Sequence, residues 1–188
     1  FDRFLPHCMG HEASARVIGV GSKVTSVKVG DKVALSWIKC SGGNSGGKRH
    51  TAVKSGTHIN AGPVSTFASH AIISEDRCYK LTTGIDDKLA AILGCALGTG
   101  YGLVKRTALV SNKESVAVVG VGGVGISTLI FLKSFDALSI TIFDVNEKAL
   151  ERAKKIINCD TVKVSSTNPD QHPYFDSFDC VIETSGSC

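Results

Sequence analysis

Residues 115–144 constrain this chain more than any other stretch. They begin Ser-Val-Ala-Val-Val-Gly-Val-Gly-Gly-Val-Gly-Ile-Ser, continue through an apolar run, and close on Ile-Phe-Asp. Residues 116–119 are a short β-branched run of the kind that forms a strand buried on both faces. Gly120, Gly122 and Gly125 then fall in the G-x-G-x-x-G spacing, and 124–132 is apolar over a helical length. A second strand pattern, 138–143, ends in Asp144. Each part has a physical task. Gly120 permits a sharp strand-to-helix turn, Gly122 lets the backbone approach a pyrophosphate, and Gly125 permits close helix–strand packing. The helix that begins at Val124 offers its free N–H groups to the phosphates. Asp144 stands 19 residues past Gly125, near the ~20-residue offset of an acid that receives a ribose 2′-OH. The alternative is a glycine-rich βαβ turn with no ligand. With no Arg beside Asp144, the reading favours NAD over NADP, whose 2′-phosphate the acid would repel.

The chain has 188 residues, 43% of them hydrophobic, with mean hydropathy +0.13. That is enough for one or two folded domains and excludes a disordered chain. No apolar run has the length of a membrane span, and no signal peptide opens the sequence. The net charge of +4 is spread along the chain, which gives no reason to expect nucleic acid or an anionic membrane as a partner. Seven cysteines, with no C-x-x-C pair among them, suit free thiols in a reducing compartment, so the cytoplasm is expected. Phe1 as first residue and the stop after a buried-strand pattern lead us to expect a piece of something longer.

The first 80 residues read as β-rich. Strands are expected at 15–20, within 27–35 around a Gly30-Asp31 turn, and at 71–74. Residues 40–62 are rich in Gly, Ser and Lys and read as a solvated loop. From Asp86 the period becomes helical, with acids at the favourable end, until Gly98-Thr-Gly-Tyr-Gly interrupts it; a further helix is expected to about Leu109. A helix over 146–157 has Asn146 as its N-cap and Leu150, Ala153 and Ile157 on one apolar face. Short strands at 162–164 and 178–184 complete an alternation of strands and helices, which implies a parallel, doubly wound sheet.

His11 and Glu12, after Gly10, and Cys95 in the other half supply donors that suit zinc. Their separation in sequence makes spacing a poor guide. A satisfied turn histidine and a buried cysteine explain the same residues.

The stretch Gly10-His-Glu-Ala-Ser-Ala-Arg-Val-Ile-Gly-Val-Gly-Ser-Lys-Val resembles the zinc signature of the medium-chain alcohol dehydrogenases. Val29-Gly-Asp-Lys-Val, Gly94-Cys-Ala-Leu-Gly-Thr-Gly-Tyr-Gly, the glycine motif and Asp144 follow in the family's order. The resemblance implies an α/β chain with a β-rich part: a partial GroES-like catalytic domain at 1–84 and the first part of a doubly wound Rossmann domain at 85–188, with the active site between them. It implies that His11 and Cys95 are ligands of one catalytic zinc and that Glu12 is the carboxylate beside it. Thr99 would contact the nicotinamide, while Gly120, Gly122, Gly123, Val124, Gly125 and Asp144 bind the NAD. The implied activity is hydride transfer between an alcohol or aldehyde and NAD, with zinc lowering the pKa of the alcohol. The parent is expected to be a homo-oligomer without nucleic-acid or membrane partners.

Some features depart from the pattern. The family's first zinc ligand is a Cys about twenty residues before Gly-His-Glu, and a catalytic zinc takes three protein ligands; Cys8 stands in the wrong place to replace it. Only Cys40 is present where relatives carry a four-Cys structural zinc lobe, so no structural zinc is expected. Ala15 replaces a usual glycine. The 188 residues alone are expected to be inactive. A zinc-free quinone or enoyl reductase, and a non-catalytic nucleotide-binding protein of the same fold, are the competing readings.

Overall fold

The β-branched run at 116–119 becomes the centre of a parallel sheet in the computed structural model, which describes residues 5–82, 84–164 and 177–186. The chain divides into two compact units, Phe1–Cys95 and Ala96–Cys188.

In the second unit, β6 (Ser115–Val119), β7 (Ser139–Asp144), β8 (Asp160–Lys163) and β9 (Cys180–Glu183) form a sheet in the order β8-β7-β6-β9. All three pairings are parallel. Val116, Ala117 and Val118 of this central strand are buried, and Val116 and Val118 share a core with Leu129 and Leu132 of the helix that follows. Helix α3 (Gly123–Ser134) crosses from β6 to β7, and α4 (Glu147–Ile156) from β7 to β8. The Asn146 side chain accepts from the Lys148 amide and caps α4. Leu150, Ala153 and Ile157 join Val118, Leu129, Leu132, Ile142 and Ile182 in one core. The expected doubly wound sheet is therefore present.

The glycines at 98–102 do not interrupt the helix. Gly98–Gly102 is itself helical, α2, and Gly100 is there for contact: a Cβ would stand 2.6 Å from the Ser127 carbonyl carbon on α3. Close packing of two helices, not a break, is what Gly100 provides.

In the first unit, β1 (Ala13–Arg16), β2 (Lys32–Leu35) and β5 (Cys78–Lys80) form an antiparallel sheet with β2 in the middle. Val33, Leu35 and Val64 form its buried core. The strand expected at 71–74 is not one. A 3₁₀ turn, Glu75–Arg77, intervenes, and the paired strand starts at Cys78. Residues 40–62 are not a plain loop either, since β3 (Lys48–Thr51) and β4 (His58–Gly62) pair as an antiparallel hairpin. Gly56, with φ +68°, turns it. Helix α1 (Asp87–Ile92) starts as expected at Asp86, whose carboxylate accepts from the Lys88 and Leu89 amides. No described helix is long and apolar enough to cross a membrane.

Candidate functional site

Backbone hydrogen bonds hold the segment before His11 in place. Cys8 N–H donates to Asn60 O of β4 at 2.7 Å, and Phe67 N–H donates to Met9 O at 3.0 Å. Gly10 adopts φ +88°, and a Cβ there would stand 2.6 Å from the Phe67 ring. Only glycine fits that combination, so the residue before His11 is glycine for a local reason. His11 emerges exposed on the approach to β1.

Cys95 arrives from the opposite end of the same unit. It sits in a wide π turn, Leu93–Leu97, that follows α1. That turn presses on the end of β2: a side chain at Gly94 would run into the Leu35 carbonyl, and the Ser36 hydroxyl donates to Gly94 O at 2.5 Å. The result is a contact between His11 Nε2 and Cys95 Sγ at 3.2 Å. Imidazole nitrogen and thiol sulfur at that distance can share one metal ion. Neither Glu12 nor Cys8 completes a three-donor group with them; among the described residues no three His, Cys, Asp or Glu side chains gather to hold a metal. Cys8, Cys40, Cys78, Cys95, Cys159 and Cys180 are free thiols, and Cys188 lies outside the described residues. Trp37 is 54% exposed, not core, with the Arg77 guanidinium 5.8 Å from its ring centroid.

A second set of predicted residues meets in the other unit, at the carboxyl ends of β6, β7 and β9. This is a topological switch point, because the chain leaves β6 towards β7 on one side while β9 lies on the other. Gly120 turns there with φ +84°, and its Cβ would come within 2.5 Å of Ser185 Cα. A side chain at Gly125 would meet the Gly120 carbonyl, and Thr184 Oγ1 at 2.9 Å. Gly122 and Gly123 face open space: a Cβ on either would meet nothing within 4 Å. Gly122 caps α3 through no side-chain hydrogen bond, which leaves the first helical N–H groups, including that of Val124, directed to this opening. Asp144 accepts from Val121 N–H at 2.8 Å through Oδ2, and from Asn146 N–H at 2.7 Å through Oδ1. Each oxygen retains a second lone pair for a ribose hydroxyl. An open glycine turn, an uncapped helix and an acid at the next strand end fit a dinucleotide. Thr99 lies exposed on α2 in the same unit.

Two residues had no predicted role. The Thr184 hydroxyl donates to Gly120 O at 2.6 Å. Glu75, buried in the first unit, accepts from the Thr25, Ser26 and Gly43 amides at 2.7–2.8 Å; these bonds, that from Gly43 foremost, hold its carboxyl down at a pKa of about 2. The residues before each, Glu183 and Ser74, offer no periodicity that would mark them.

Comparison with known proteins agrees with these observations. Residues 2–83 match the alcohol dehydrogenase GroES-like domain. Alcohol dehydrogenase 6 of Rattus norvegicus is 31% identical over 182 residues, 85% of this chain and 48% of the relative, so the chain spans about half the length of that protein. Benzyl alcohol dehydrogenase from Acinetobacter calcoaceticus superposes with a TM-score of 0.77 at 27% identity, over 97% of this chain and 56% of the other. The fold also matches a short chain alcohol dehydrogenase from E. coli CFT073 complexed with NADH, with a TM-score of 0.70 at 20% identity over 97% and 55% of the two chains. By its GroES-like segment, its parallel sheet and its sequence, the chain belongs to the medium-chain alcohol dehydrogenases.

Proposed function

We propose that this chain carries the zinc-ligand pair and the NAD-binding turn of an alcohol dehydrogenase that moves hydride between a primary or secondary alcohol, or its carbonyl product, and NAD. The observation that carries the reading is the 3.2 Å approach of His11 Nε2 to Cys95 Sγ. A nucleotide-binding protein without metal chemistry has no need of that pair, nor has a zinc-free reductase.

His11 and Cys95 hold the zinc as two of its protein ligands, with Glu12 as the neighbouring carboxylate. The turn from Gly120 to Gly125 receives the pyrophosphate on backbone N–H groups, Asp144 accepts from the ribose hydroxyls, and Thr99 lies against the nicotinamide. The chemistry supplied when both groups are bound is polarisation of the substrate oxygen by the metal and acceptance of hydride by the nicotinamide. This chain's part is to hold and orient the two. Likeness of fold to a protein complexed with NADH accords with the cofactor assignment. Free thiols at all six described cysteines accord with a cytoplasmic setting.

Two titrations of the chain test the reading. Cobalt(II) in place of zinc reports a bound thiolate by charge-transfer absorption, and NADH reports the turn by its fluorescence. Both signals are expected. NADH binding without a cobalt–thiolate band would overturn the zinc assignment, and absence of NADH binding would overturn the nucleotide assignment.

A further inference from the structure

The geometry points to Thr184 as a positioning residue for dinucleotide binding: its hydroxyl, together with Asp144, locks the peptide group between Gly120 and Val121 from which the phosphate-facing turn departs. The inference rests on the nucleotide reading proposed above.

That peptide group is held at both of its polar ends. Thr184 Oγ1 donates to the Gly120 carbonyl at 2.6 Å, from the end of β9. Asp144 Oδ2 accepts from the Val121 N–H at 2.8 Å, from the end of β7. β9 and β7 are the two neighbours of β6, so the turn is gripped from either side of the strand that delivers it. Thr184 is itself fixed by its own backbone, whose N–H donates to Val119 O at 2.8 Å.

The lock is needed because of where it sits. A peptide group is planar and rotates as one rigid unit, and Gly120, at φ +84°, lacks the side chain that would restrict it. Rotation of this one plane re-aims every amide after it, including those of Gly123 and Val124 at the uncapped start of α3. A hydrogen bond to the carbonyl and another from the amide fix the plane about both of its flanking bonds. Asp144 alone holds only the amide end.

The test compares Thr184→Val, which keeps the shape and removes the hydroxyl, with Thr184→Ser, which keeps the hydroxyl. NADH and ADP-ribose, which carry a pyrophosphate, and adenosine, which has none, are titrated against each protein. In Thr184→Val, NADH and ADP-ribose are expected to bind about tenfold more weakly, the loss of one part-buried hydrogen bond. Adenosine is expected to bind as before, and Thr184→Ser to restore the affinity. Amide exchange is expected to quicken at Val121 in Thr184→Val and to stay unchanged at Val118 and Ile142 in the core. Equal NADH affinity in wild type and Thr184→Val would overturn the inference and leave the nucleotide reading standing. Equal loss of NADH and adenosine would also overturn it, marking Thr184 as a general support of the fold. A wild-type chain that binds no NADH would overturn both.

Discussion

His11 Nε2 stands 3.2 Å from Cys95 Sγ, although 84 positions separate the two residues. Backbone bonds to β4 and to Phe67 bring one donor to this point, and a π turn pressed on the end of β2 brings the other. If the pair binds metal, each half should matter by itself. Cys95→Ser is expected to abolish the cobalt–thiolate band, and His11→Ala to weaken cobalt binding. Outer partners of metal sites are worth 10–100-fold in affinity, so loss of a direct ligand is expected at about 100-fold. Equilibrium titration monitored by absorbance checks both.

Much of the second unit is legible in sequence because its two central strands, β6 and β7, are buried on both faces and therefore read as continuous apolar, β-branched runs. β6 and β7 fall within a residue or two of their expected positions. The hairpin at 48–62 is not legible. Its strands, Lys-Arg-His-Thr and His-Ile-Asn-Ala-Gly, are short and carry almost no apolar alternation. Gly98-Thr-Gly-Tyr-Gly misleads for another reason: local propensity marks glycine as a helix breaker, whereas the packing of α2 on α3 requires it. In the candidate site, the glycine motif announces itself because its spacing is local. His11 with Cys95 does not, and family resemblance is what joins them. The Thr184 hydroxyl leaves no trace at all, because its acceptor is a backbone carbonyl 64 residues earlier.

The glycines of the turn should separate into those that serve the fold and those that serve the ligand. Gly125→Ala places a methyl against the Gly120 carbonyl and Thr184, and overpacking of this kind costs about 1–3 kcal/mol. Gly122→Ala meets no atom within 4 Å and keeps an extended backbone at φ −71°. Its stability is expected within about 0.5 kcal/mol of wild type, while its methyl occupies the space a pyrophosphate needs. Chemical denaturation should therefore move for Gly125→Ala alone, and NADH titration should move for Gly122→Ala.

Asp144 should govern the choice between NADH and NADPH. A 2′-phosphate at the ribose would face its carboxylate, and juxtaposed like charges cost several kcal/mol, so wild type is expected to favour NADH by about 100-fold. Asp144→Asn removes the charge and keeps a carbonyl oxygen for the Val121 N–H, but turns its amide N–H₂ on the Asn146 N–H. Its affinity for NADH is therefore expected to fall, and the gap between the two cofactors to narrow. Parallel fluorescence titrations with NADH and NADPH give the ratio for each protein.

Glu75 ties the stability of the first unit to pH. Oε1 accepts from the Thr25 and Ser26 amides and Oε2 from Gly43, so the folded chain binds a proton at this carboxyl only near a pKa of about 2, below the ordinary 4.5. A depressed carboxylate pKa stabilises the fold above the unfolded value, and that contribution disappears as pH falls through the folded one. The window is therefore from about 4.5 down to about 2. Glu75→Gln offers one carbonyl oxygen where three N–H donors converge from two sides, and its amide N–H₂ must face one of them. The variant is expected to be less stable than wild type at neutral pH, with the difference shrinking on acidification across that window. Urea midpoints measured from pH 7 to pH 2 give both curves. Parallel curves would show that the three amides do not hold Glu75 as a carboxylate.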